Sequence, residues 1–321
     1  METVVCNLCG HNSSHLVYQV KDTNYGQAGT FSLVTCERCG LVYLNPRPTT
    51  QEIGNYYPAD QYHPFRALQK TQAIKPSDMQ QKRADKISQL VNNHEKRPIL
   101  DVGCGSGLFL LAMEQRGWQV FGVEPSDHAS NFARTTLNLP VLTGDIFAAQ
   151  PGTTFDVITF WDVLEHTHSP RAVLQEAHRL LNPNGLLAIN VPNWASWERK
   201  IFRDKWIAID APRHLYHFSP STLSQLLQSC GFSVMEMRSQ TPVMNPASNL
   251  LRALGALARS AKHTKNKGQS TSQRATPTIS PSPIKRWFIR ATDIILSIPN
   301  LIANAVGQGG SITVYARKSD K

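Results

Sequence analysis

From Pro98 to Met237 the chain alternates two patterns. Short apolar runs at 99–102, 120–123, 140–142, 155–160, 186–191 and 232–237 have the length of buried strands. Between them, 108–116, 126–137, 170–181 and 220–229 repeat apolar positions every three or four residues, as a helix packed on one face does. Ser126 stands where a cap would open the second of these helices. Alternation of this kind predicts an α/β fold around a parallel sheet, and a last apolar run at 311–316 predicts a seventh strand. Residues 77–93 predict a helix ahead of the sheet, with Met79, Arg83, Ile87, Leu90 and Val91 on its spacing. The amino-terminal segment differs: Leu16-Val17-Tyr18-Gln19-Val20 and Phe31-Ser32-Leu33-Val34 alternate as a strand pair does.

These elements divide the chain into a ribbon-like unit (1–48), a linker and helix (49–96), the α/β core (97–238), an insert (239–309), and the last strand with a tail (310–321). A hydrophobic content of 41% suits a globular protein. No charged-then-apolar leader and no run of about 18 apolar residues is present, so the sequence reads as cytoplasmic. The formal net charge of +10 is concentrated: within 239–309, nine Lys and Arg residues face the single acid Asp293. A basic balance that invites a nucleic-acid partner therefore belongs to one segment and not to the core. Two apolar-basic helix candidates, 249–261 and 284–305, flank a Ser/Thr/Pro-rich linker at 269–283. Trp287, Phe288 and Ile294 beside Lys285, Arg286 and Arg290 suit a helix lying on an anionic membrane. Each basic side chain contributes about 1 kcal/mol there. A lid over a substrate cleft, a homodimer contact and a grip on nucleic acid are the alternatives for 249–305.

Four of the six cysteines form two knuckles, Cys6-x-x-Cys9-Gly10 and Cys36-x-x-Cys39-Gly40. Each turn points both sulfurs at one place, and the two together supply the four thiolates that structural zinc prefers. A redox role would need only one pair. Four protein ligands close the coordination sphere, so no catalytic role falls to this site.

The run Asp101-Val102-Gly103-Cys104-Gly105-Ser106-Gly107 joins a strand to a helix through alternate glycines, where backbone comes close to a ligand without a Cβ between them. A nicotinamide-binding fingerprint needs Gly or Ala at the next position, which holds Leu108. The Asp-x-Gly-x-Gly-x-Gly pattern instead resembles motif I of the class I S-adenosylmethionine-dependent methyltransferases. So does the order of the later motifs: Glu124 closing the second strand, Gly144-Asp145-Ile146-Phe147 after the third, Phe160-Trp161-Asp162 ending the fourth, and Arg179-Leu180-Leu181-Asn182-Pro183-Asn184-Gly185. In the last phrase Asn184 stands where the family has glycine. The resemblance implies a Rossmann-like seven-stranded sheet and S-adenosylmethionine as cofactor. It implies that Asp101 and Gly103, Gly105 and Gly107 hold the methionine end, that Glu124 accepts the ribose hydroxyls, that Asp145 contacts the adenine, and that Asp162 runs under the methionine arm. A solvated strand-end acid is the plain alternative for Glu124, and a turn cap for Asp145.

Methyl transfer is an in-line displacement, and a hydroxyl or acidic carbon acceptor gains from a general base. Asp162, Glu165, His166, His168, His214 and His217 are candidates, with His214 and His217 preferred and His166 next. His166 could instead pack and orient backbone. Glu165-His166 resembles a segment of quinone O-methyltransferases, which raises a divalent ion at that pair. The aromatic stretch from Val191-Pro192-Asn193 to Pro212-Arg213-His214-Leu215-Tyr216-His217-Phe218 resembles an acceptor cover. The front knuckles and this stretch are similar to bacterial zinc-ribbon methyltransferases acting on sugars and small metabolites. The expected acceptor is a small, sugar-like or lipid-linked molecule, methylated on oxygen or carbon. An RNA methyltransferase gripping through ribbon and insert is the alternative.

Overall fold

The computed structural model describes residues 1–57, 74–92, 96–149, 152–240 and 302–319. The insert candidates fall outside these residues except for one helical turn at 302–305. Among the described residues no helix is long and apolar enough to cross a membrane.

Five strands run parallel at the centre: β4 (Pro98–Val102), β5 (Gln119–Glu124), β6 (Val141–Thr143), β7 (Phe155–Trp161) and β8 (Leu181–Pro192). The hairpin of β10 (Phe232–Gln240) and β11 (Ser311–Lys318) completes a mixed sheet in the order β10-β11-β8-β7-β4-β5-β6, with β11 antiparallel to both neighbours. Helices α1 (Asp78–Leu90), α2 (Leu108–Glu114), α3 (Asp127–Thr136), α4 (Pro170–Leu180), α5 (Trp197–Phe202) and α6 (Pro220–Ser229) accompany it. Local chemistry explains the ends. Ser77 and Gln80 form a capping box on α1, Ser126 accepts the Ala129 N–H on α3, and Ser219 with Thr222 boxes α6. On α4 the buried positions Val173, Leu174, Ala177 and Leu180 form one face against the sheet.

The fifth central strand is longer than its apolar core at 186–191, because pairing with β7 resumes at Leu181 before the turn of Asn182–Gly185. Asn184 there has φ +58°, a left-handed conformation that Asn tolerates better than other side chains, so the replaced glycine is accommodated.

The amino-terminal strands β1 (Ser14–Val20) and β2 (Phe31–Cys36) pair antiparallel, and β3 (Val42–Leu44) joins β2. The fourth strand of this small sheet, β9 (Tyr216–His217), comes from the segment after β8 and pairs with β3. The ribbon is thus built into the α/β body. Leu33, Tyr43 and Leu44 share one continuous buried core with Phe160, Leu164, Tyr216 and Phe218.

Candidate active site

The chain leaves β4 for β5 and β6 on one side, then returns to place β7 on the other. The crevice at the carboxyl end of β4 is therefore the sheet's topological switch point, where doubly wound folds bind ligands. Gly103, Gly105 and Gly107 all have positive φ, +67°, +55° and +79°. A Cβ at Gly103 would stand 2.6 Å from Val163, and one at Gly107 2.8 Å from Leu139, whereas at Gly105 nothing lies within 4 Å. Two glycines let the turn pack; the third faces open space.

Asp101 is buried and accepts a 2.6 Å hydrogen bond from the Thr159 hydroxyl. Burial pushes its carboxyl up to about 7, against the Thr159 bond and the charge of Arg83. Once ionised, a carboxylate buried in this way can receive a cation. Glu124 accepts the amide of Gly105 through one oxygen and that of Ser126 through the other, both at 2.8 Å. Burial raises its pKa while those two amides oppose the rise. Each oxygen keeps a lone pair for a further donor. Asp145 is exposed and accepts the Phe147 N–H at 3.0 Å through Oδ1, so it caps its own turn with one oxygen. Asp162 has φ +60°, accepts the Asn190 side-chain amide, and lies 3.4 Å from Arg83. Arg83, on α1, also covers Trp161, 4.3 Å above its ring.

On the far side of β7 the histidines gather. The rings of His166 and His214 meet edge to face at 4.5 Å, and His217 lies 6.3 Å from His214 and 5.2 Å from Trp194, centroid to centroid. Burial holds His166 and His217 neutral, each pushed down to about 3, with the neighbouring His214 adding to the effect. Neither ring nitrogen of His217 has a partner among the described residues. His168 does not join this group, since its Nε2 lies 3.0 Å from the Pro48 carbonyl.

One buried ion pair holds the segment that carries His214 and His217. Arg213, wholly buried, donates to both oxygens of Asp22 at 2.9 and 2.8 Å, to Asp210 at 2.7 Å, and to the Tyr56 carbonyl at 3.0 Å. Its guanidinium also lies 4.5 Å from the centre of the Tyr25 ring. Asp22 follows β1, so the ribbon clamps the histidine segment through charge as well as through β9. The sequence reading missed this clamp, and Arg83, Thr159 and Asn190 with it. The three-residue spacing of Asp210 and Arg213 is a local signal that could have flagged half of it; the ribbon partner leaves no such signal.

In the ribbon, the sulfurs of Cys6 and Cys39 lie 3.4 Å apart and those of Cys9 and Cys36 3.5 Å, with all four within 4.8 Å of one another. A tetrahedron with Zn–S of about 2.3 Å sets sulfurs about 3.8 Å apart. The Gly10 and Gly40 amides close each knuckle onto the Cys6 and Cys36 carbonyls at 2.8 and 3.0 Å. The donor set fits zinc.

A family model described as a methyltransferase domain matches residues 77–237. Two curated proteins named ubiquinone biosynthesis O-methyltransferase illustrate the similarity. That of Leptothrix cholodnii is 30% identical over 115 residues, 33% of this chain and 49% of its own length. That of Nitrosomonas europaea is 26% identical over 162 residues, 46% of this chain and 69% of its own length. The chain therefore spans about half the length of the first of these relatives. Among solved structures, that of the cyclase SpnF aligns with 86% of this chain and 99% of its own at a TM-score of 0.50 and 16% identity, a likeness of fold.

Proposed function

Since this chain belongs to the class I S-adenosylmethionine-dependent methyltransferases, we propose that it methylates an ionisable oxygen or acidic carbon of a small-molecule acceptor held beneath the 192–218 segment. The residues of the crevice fit the cofactor. Asp101 would pair with its ammonium group, Glu124 would accept its ribose hydroxyls, and the free oxygen of Asp145 would take the adenine amino group. Gly105, open where a Cβ would project, leaves room for it. When bound, the cofactor supplies a sulfonium-activated methyl group.

The observation that carries the acceptor reading is the pairing of His166 and His214 at 4.5 Å beside the end of β7. A wall of imidazoles suits a nucleophile that must lose a proton; His214 would receive it, and His217, which burial keeps neutral, would bind the acceptor. The Asn/Asp-Pro-Pro-Tyr signature of amino-nitrogen methylation of nucleic acids is missing after Phe160, where Trp161-Asp162-Val163 stands. Curated relatives named for ubiquinone biosynthesis support a lipid-linked ring hydroxyl as one acceptor class. The ribbon's union with β9 favours its building the acceptor chamber over its gripping RNA.

The test is transfer of labelled methyl from S-adenosylmethionine to a catechol-type quinol, a keto-sugar nucleotide and bulk RNA, offered separately. Label is expected in a small molecule, and His214→Gln is expected to lose about 100-fold in rate while binding the cofactor as before. Label in RNA alone would overturn the reading.

A further inference from the structure

Along β8 the run Leu186–Val191 is apolar except for Asn190, and Asn190 is buried with the rest. A buried amide needs partners on both of its sides, since each polar atom left unpaired there costs free energy. Asn190 finds them in side chains from the two neighbouring strands. Its Nδ2 donates to Oδ1 of Asp162, and its Oδ1 accepts the Thr313 hydroxyl at 2.9 Å. Strand register sets this up. Thr313 on β11 lies directly opposite Asn190, and Asn190 lies opposite Trp161, the residue before Asp162.

The direction of each bond follows from the acid at the end of the row. An ionised carboxylate only accepts, so the amide must turn its N–H toward Asp162. The amide oxygen then faces Thr313, whose hydroxyl has to donate. Asp162 itself stands at φ +60°, a conformation that side chains other than Gly seldom adopt and that the surroundings must hold in place. Its side chain is 51% exposed, so packing does not hold it. Polar contacts do: Asn190 takes one oxygen, and Arg83 stands 3.4 Å from the other. A strained acid tied on both oxygens, yet open to the crevice, keeps lone pairs for a ligand.

We propose that Asn190 and Thr313 are positioning residues for cofactor binding: a relay of three side chains across β11, β8 and β7 fixes the orientation in which Asp162 serves the methionine arm. The proposal rests on the cofactor reading above, and both residues act only through Asp162. Removing the Thr313 hydroxyl would leave the Asn190 oxygen unpaired and the amide free to turn away from the acid.

The experiment is calorimetric titration of the full chain and its variants with S-adenosylhomocysteine. Thr313→Val keeps the branched shape and removes the hydroxyl; Thr313→Ser keeps the hydroxyl and removes the methyl. The relay predicts that Thr313→Val weakens binding at least about threefold, while Thr313→Ser stays within about twofold of wild type. A role in packing alone predicts the reverse order. Asp162→Gly, which suits the positive φ, is expected to weaken binding at least about tenfold, and adding Thr313→Val to it should weaken binding no further. Thr313→Val that binds as tightly as wild type overturns the proposal, however far its melting temperature falls. So does Thr313→Ser as weak as Thr313→Val, Asp162→Gly that binds normally, or a full further loss when Thr313→Val is added to Asp162→Gly. Wild-type protein that takes up no S-adenosylhomocysteine overturns the cofactor reading and the relay together; tight wild-type binding with the variants in the order of shape overturns the relay alone.

Discussion

Replacing Asp22 by alanine tests whether the ribbon holds the histidine segment in place. The carboxylate receives two N–H groups of Arg213 and the backbone amides of Asn24, Tyr25 and Gln27. Breaking a buried ion pair from one side costs about 3–5 kcal/mol. The low end applies, because Asp210 and the Tyr56 carbonyl still meet the guanidinium. The three amides lie in a loop that water can reach, so their loss adds only about 1 kcal/mol in sum. The expected destabilisation is about 4 kcal/mol, a large part of the 5–15 kcal/mol typical of a folded protein. Urea unfolding followed by the fluorescence of Trp194 and Trp206, which stack edge to face in the clamped segment, measures it. A double-mutant cycle with Arg213→Met should return about 2–3 kcal/mol of coupling. A loss below about 1 kcal/mol for Asp22→Ala, with no coupling to Arg213, would refute the clamp.

The remaining predictions concern ligand, metal and backbone. Asp101 is held up at about 7 in the folded protein, so it keeps its proton across a range where an unfolded aspartate has lost it. Folding stability should therefore fall as pH rises from about 4 to 7 and level off above. Affinity for S-adenosylhomocysteine, which carries the same ammonium group, should rise toward pH 7 by up to about tenfold per unit and then level off; calorimetry at several pH values checks this, with Asp101→Asn flat. Chelating zinc from the ribbon should lower the melting temperature of the whole protein, because ribbon and sheet share one apolar core; an unchanged main transition would contradict this. Gly103→Ala, at φ +67° and 2.6 Å from Val163, should cost about 1–3 kcal/mol by thermal unfolding, whereas Gly105→Ala, with nothing within 4 Å, should cost less.

How much of this fold was legible in the sequence depends on the range of the contacts involved. The strands and helices of the core were readable because their periodicity is local, and Ser126 proved a cap because capping spans only three residues. Strand β3 is three residues long, too short to carry a pattern of its own. Strand β9 is two, and exists only because Val42 and Tyr43 lie opposite it across the fold. The crevice acids were legible from their order along the chain. The bond from Arg213 to Asp22 spans 191 positions, and no spacing rule reaches that far. Glu165 and His166 were visible as a pair, but the approach of His214 and the absence of any donor to Glu165 belong to tertiary packing alone.

Titration of the full chain with S-adenosylmethionine in a calorimeter tests the central claim most directly, that the turn after β4 and the acids beside it bind this cofactor. The account predicts saturable binding of one molecule per chain, lost or weakened at least about tenfold when Glu124→Ala removes the acceptor of two backbone amides and the ribose. A folded wild-type protein that takes up none, or a Glu124→Ala variant that binds as tightly as wild type, would contradict it.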